Sequence, residues 1–171
     1  MRRPIHFCET WSLGYNEPRN PLTEAEARLR EAKGKWYTVL VDHPVRPTVV
    51  IHTGLRDDGK RGYDVNFLDD RLRVVMDYGF RQYDATTLFM ESASEREYRD
   101  DDEQQCWGAA HFFKEDRTMF TDEGDIPPYG QERTIYRYTN ILNDHRFDLL
   151  FEAIPAFGEY DNLIRPERGL K

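Results

Sequence analysis

The sequence predicts a mainly β protein, an antiparallel up-and-down barrel of about eight to nine strands preceded by one short helix. Three observations carry this expectation. Side chains alternate with a period of two through most of Gly62 to Phe113, the pattern of strands with two distinct faces. The gaps between these runs are short, so neighbours pair antiparallel, because a parallel pair needs a crossover of a dozen or more residues. Many runs are apolar or aromatic on both faces, and closing the sheet gives every strand an inside and removes its exposed edges.

Taken in order, residues 1–21 mix Trp11 and Tyr15 with Pro4, Gly14, Pro18 and Pro21. That composition predicts an extended arm or lid. Residues 22–33 read as a helix. Thr23 and Glu26 have capping-box spacing, Leu22 stands at the staple position, good helix formers run from Ala25 to Lys33, and Gly34 stops them. Trp36 to Val41 and Thr48 to Thr53 are rich in aromatic and β-branched residues and predict two strands around the Pro44 to Pro47 corner. Asp57-Asp58-Gly59-Lys60 reads as a hairpin turn.

In the central run, Tyr63, Val65 and Phe67 share one face, and Leu72, Val74, Met76, Tyr78 and Phe80 resume the alternation. Tyr83 to Glu91 and Cys106 to Phe113 add two strands, with charged Glu95 to Gln105 as a solvated hairpin end. Arg117 to Thr121 is a further short strand. Asp122 to Gln131 is a loop of the kind found over binding sites. Arg133 to Leu142 and Phe147 to Ile154 form the last hairpin, turning at Asn143-Asp144. The spacing of Phe157, Tyr160, Leu163 and Ile164 predicts a short docking helix in the tail. The chain thus divides into arm 1–21, helix 22–33, barrel 35–154 and tail 155–171 of a single domain.

With 171 residues and no internal linker, one core suffices. The net charge of −8 disfavours a nucleic-acid partner, since an acidic surface repels phosphates and no basic run offsets it. Cys8 and Cys106, far apart and outside any CxxC spacing, suggest neither a disulfide framework nor a thiolate metal site. Polar residues and proline interrupt the start of the chain, so neither a secretory signal nor a membrane span is expected there, and a cytoplasmic location follows. A homodimer is compatible with the sequence.

Gly34-Lys35-Trp36, after a short helix and opening the first strand, resembles the Gly-x-Trp signature of the lipocalin and wider calycin families. The stretch from Tyr136 to Phe151, with Asn143-Asp144-His145-Arg146, is similar to the last hairpin of bacterial lipocalin-like domains. The resemblance spans Gly34 to Ile154 and implies an up-and-down barrel with a ligand cavity.

Candidate chemistry centres on ionisable groups within the barrel strands. His52 shares a face with Thr48 and Val50. His111 shares one with Trp107, Ala109 and Phe113, where small neighbours leave room beside the imidazole. Each is a candidate proton shuttle, against the commoner role of a histidine satisfied in a core or exposed on an outer face. Asp77 and Glu91 interrupt mostly apolar segments, and burial would raise their pKa values. Tyr136 and Tyr138, two apart on one face, are placed to donate to a developing oxyanion, though amphipathic packing is their commoner role. Tyr63, Phe89, Trp107 and Phe113 join them as candidate substrate contacts.

The five histidines show no HxH or HxxxH spacing, and the chain has no phosphate-binding glycine loop and no Gly-x-Ser-x-Gly elbow. No cofactor or metal is therefore expected. The reading is a cofactor-independent enzyme acting on a small apolar or aromatic molecule by acid–base chemistry, of isomerase, cyclase, dehydratase or decarboxylase type. The competing reading is a non-catalytic carrier of a small hydrophobic ligand. A third is a barrel filled by side chains that uses a face for self-association.

Overall fold

The computed structural model describes residues 3–99, 105–125, 133–139 and 144–166. Its elements are β1 (Ile5–Ser12), β2 (Glu17–Leu22), α1 (Glu24–Ala32), β3 (Tyr37–Val41), β4 (Val49–Leu55), β5 (Arg61–Leu68), β6 (Val74–Gln82), β7 (Thr87–Tyr98), β8 (Gln105–Phe113), β9 (Met119–Asp125), β10 (Arg133–Thr139), α2 (Asp144–Asp148) and β11 (Phe151–Ala153). Ten strands form one antiparallel ladder in the order β10-β9-β8-β7-β6-β5-β4-β3-β1-β2, and β11 pairs with β7. From β3 to β10 this is the expected meander. The ladder is open: among the described residues no pairing joins β2 to β10.

The helix begins as the sequence predicts. Thr23 accepts from the Glu26 amide while the Glu26 carboxylate accepts from the Thr23 amide, satisfying two otherwise orphaned donors. Gly34 follows the helix with φ +66°, a conformation that glycine adopts without strain. Trp36 packs directly on Gly54, where a Cβ would stand 2.7 Å from the indole.

Four expectations are corrected. Residues 1–21 are not an irregular arm, because β1 and β2 form a hairpin that extends the sheet. Pro18 and Pro21 suggested irregularity, but they stand on an edge strand, where a missing N–H interrupts no outer ladder. The charged stretch after Glu95 is strand as far as Tyr98, since its side chains divide between two faces; residues 100–104 of that stretch lie outside the described set. Strand β9 starts at Met119 and runs into the expected loop as far as Asp125, whose remaining positions 126–131 lie outside the described residues, as do 140–143 after β10.

The fourth correction concerns the C-terminal part. Residues 144–148 form one helical turn, which puts Phe147 and Phe151 on one side with ring centroids 5.2 Å apart. Within 155–166 no helix forms, because Pro155 and Gly158, at φ +83°, break the pattern. Tyr160, Leu163 and Ile164 are buried nonetheless.

One face of the ladder carries the main core. Phe7, Tyr37, Val39, Val41, Ile51, Tyr63, Val65, Tyr78, Phe80 and Met90 pack there with Ala27 of α1 and with Tyr160, Leu163 and Ile164 of the tail. Phe157 stacks on Phe7 at 5.2 Å, the Tyr37 and Tyr160 hydroxyls are 3.0 Å apart, and the Tyr78 hydroxyl donates to the Pro166 carbonyl at 2.8 Å. The C-terminal segment therefore fills the hollow of β1 and β3–β6 with its own side chains. A smaller core of Cys8, Trp11, Leu40 and Val50, topped by Leu68 and Leu72, occupies the other face.

Candidate functional site

Register makes the core face legible row by row. In one row, Phe7, Val39, Ile51, Val65 and Tyr78 stand side by side on five strands, and Ala93, His111 and Thr121 continue it on β7, β8 and β9. In the next, Val49, Phe67 and Met76 are followed by Glu95, Ala109 and Glu123. The second row turns polar at Glu95 on β7 and the first at His111 on β8.

His111 is the centre of the polar part. It is half-buried, and its Nδ1 lies 2.9 Å from the Thr121 hydroxyl directly opposite on β9. Burial pulls the imidazole below its ordinary value, while Glu95 and Glu123 act against that shift. These two glutamates flank Ala109, so their Cα atoms are about 10 Å apart, two strand spacings. With Ala93 and Ala109 small, the imidazole and carboxylates surround a low floor bounded by Phe113, whose ring centroid is 6.5 Å from that of His111, and by half-buried Trp107 on the same strand face. Among the described residues, Nε2 of His111 has no hydrogen-bond partner.

The other expected site residues lie elsewhere. His52 is on the opposite face, its Nδ1 2.9 Å from the buried Thr38 hydroxyl, and burial lowers its pKa as well. Asp77 also faces that way and pairs with Arg96 at 2.5 Å. Glu91 is extra to the pairing where the β6–β7 register shifts, and it is held between Arg56 at 2.7 Å and Arg81 at 2.6 Å. Both of its carboxylate oxygens are thus taken up by guanidiniums. Tyr63 is packed in the core, and burial raises its hydroxyl pKa. Tyr136 and Tyr138 pair in register with Asp122 and Phe120, but their side chains lie outside the described set.

Phe89 and Phe113 meet Glu91 at a second place. Strand β7 pairs with β8 from Ser92 onward but with β11 from Thr87 to Phe89, so the sheet forks there. A cleft of ≈ 380 Å³ opens at the fork, lined by Arg81, Phe89, Glu91, Phe113 and the Lys114–Asp116 turn. Phe89 is also one of four rings in an aromatic cluster with Tyr83, Phe147 and Phe151.

The sequence alone does not single out Glu95, Glu123 or Thr121. Their period-two relation to Ala93, Ala109 and His111 was available, but Glu95 stood in a charged run that reads as a hairpin end, and Glu123 in a stretch that reads as loop. Among the described residues no three His, Cys, Asp or Glu side chains converge to hold a metal. No helix among them is long and apolar enough to cross a membrane. No family model matches the chain, and no curated protein or solved structure matches it.

Proposed function

We propose that the chain is a lipocalin-like enzyme of small-molecule metabolism that moves a proton on a largely apolar or aromatic substrate, at the core face of β7–β9. The observation that carries this reading is the change across β7 and β8. Where the tail packs, the face is dry and filled. Beyond it, one half-buried imidazole, two carboxylates and two alanines share the same rows. Burial keeps His111 neutral at pH 7, the state needed for proton exchange, and Glu95 and Glu123 supply carboxylates on either side. Trp107 and Phe113 give the substrate apolar walls. The lipocalin-like part of the proposal rests on the β3–β10 meander and on Gly34-Lys35-Trp36 standing immediately before its first strand.

The test is a screen of neutral carbonyl and aromatic compounds by amide NMR, followed by turnover assays on each binder. The reading expects binders to shift the amides of Ala93, Ala109, His111 and Thr121. It expects His111→Gln to slow turnover by about 100-fold or more while affinity changes little. Binding there without turnover in the natural chain would make the protein a carrier, and shifts confined to other strands would remove the site altogether.

A further inference from the structure

The Thr121 side chain holds more information than a packing contact. The residue is 5% exposed, and among the described residues its hydroxyl has one hydrogen-bond partner, Nδ1 of His111. A hydroxyl has one proton to donate and two lone pairs. If Nδ1 carried the ring hydrogen, Thr121 would accept it, and its own proton would be left buried without an acceptor among the described residues. Buried donors are rarely left so.

We propose that Thr121 donates to Nδ1, so that neutral His111 carries its hydrogen on Nε2 and presents a donor to a ligand bearing an acceptor oxygen. This deepens the acid–base reading and rests on it for the ligand, while the position of the proton is a property of the free protein. The roles in the site then separate. Proton removal falls to Glu95 or Glu123, and His111 holds the oxygen.

For a carbonyl compound with an acidic neighbouring C–H, the carboxylate takes the proton and forms an O–H bond. The C–H electron pair becomes a C=C bond, and the carbonyl π pair moves onto oxygen, where Nε2–H stabilises the enolate. Where the substrate also carries a β,γ double bond, the carboxyl O–H bond breaks and returns the same proton to the γ-carbon: the Cβ=Cγ pair forms the new C–H bond, the enolate C=C pair shifts to Cα=Cβ, and the oxygen pair re-forms C=O, so an isomerisation closes with no other reactant. The class of substrate is therefore a β,γ-unsaturated carbonyl compound with an exchangeable α-hydrogen.

The same assignment does not extend to His52. There the Thr38 hydroxyl is also within hydrogen-bonding reach of the Cys8 thiol, so its proton has a second outlet.

The experiment is long-range proton–nitrogen NMR of the imidazoles in the ¹⁵N-labelled full chain, above the pKa of His111. The expected spectrum has an unprotonated nitrogen at Nδ1 and a protonated one at Nε2. Thr121→Ser keeps that spectrum, and Thr121→Val draws the two nitrogen shifts toward each other as both tautomers become populated. A proton found on Nδ1 in the natural chain overturns the proposal, as does a Thr121→Val spectrum identical to that of the natural chain. The natural-chain spectrum decides the position of the proton without any variant, so misfolding of Thr121→Val does not protect the idea. A proton on Nδ1 would turn His111 into the base and leave the acid–base site standing. Loss of that site in the ligand screen would leave the tautomer intact.

Discussion

The two halves of the core face share strands of the same kind and a continuous register, yet they are finished differently. On β3–β6 the rows end against Tyr160, Leu163 and Ile164 and exclude water. On β7–β9 the same rows carry Ala93, Glu95, Ala109, His111, Thr121 and Glu123, and the three ionisable residues among them are only half-buried. A sheet does not need a cavity at its centre to offer a site. It needs a place where its covering layer stops and its side chains change from filling space to holding charge.

The sharpest way to break this contrast is to weaken the filled half. Leu163→Ala removes a fully buried side chain and should destabilise the fold by about 2–5 kcal/mol in urea unfolding. A loss under about 0.5 kcal/mol would mean that the tail is a loose cover rather than core.

A smaller effect is expected from pH. Burial lowers the pKa of both His52 and His111, so the unfolded chain takes up protons near about pH 6.5 while the folded chain remains neutral to lower pH. More protons bound by the unfolded state means that stability rises with pH in that window and falls as pH drops from the ordinary histidine value toward the folded ones. The thermal midpoint should therefore decline on acidification through this range, and His111→Gln should flatten the decline. Parallel curves for the two proteins would show that His111 is not held neutral by the fold.

The smallest effect separates charge from packing. Glu123→Gln should change stability by no more than about 0.5 kcal/mol but lower the His111 pKa further, since one of the two charges that favour the imidazolium is gone. An NMR titration in which the pKa stays fixed or rises would remove Glu123 from the site.

Much of the ladder was legible in the sequence because strand faces follow a strict period of two and the α1 cap has a local signature. His111 with Trp107, Ala109 and Phe113 could be grouped by that period alone. What was not legible depended on contacts distant along the chain. Whether Pro18 breaks a strand or edges one depends on which strand lies beside it. Whether Glu95 is loop or site depends on β8 reaching that far. The burial of Tyr160 depends on Tyr37, a hundred and more residues earlier. The packing of the tail on β3–β6 is hidden for the same reason, since local pattern does not say that Tyr160, Leu163 and Ile164 come back to that face.

The contact between Tyr37 and Tyr160 also bears on how the protein is made. Strands β3–β5 leave the ribosome long before residues 157–164 are synthesised, so Val39, Ile51 and Val65 wait with a face still open to water. Closing so long a loop is slow relative to local pairing, and exposed apolar strands are prone to stick to one another in the interval. The nascent chain should thus depend on a chaperone until Phe157 and Tyr160 emerge to complete the core.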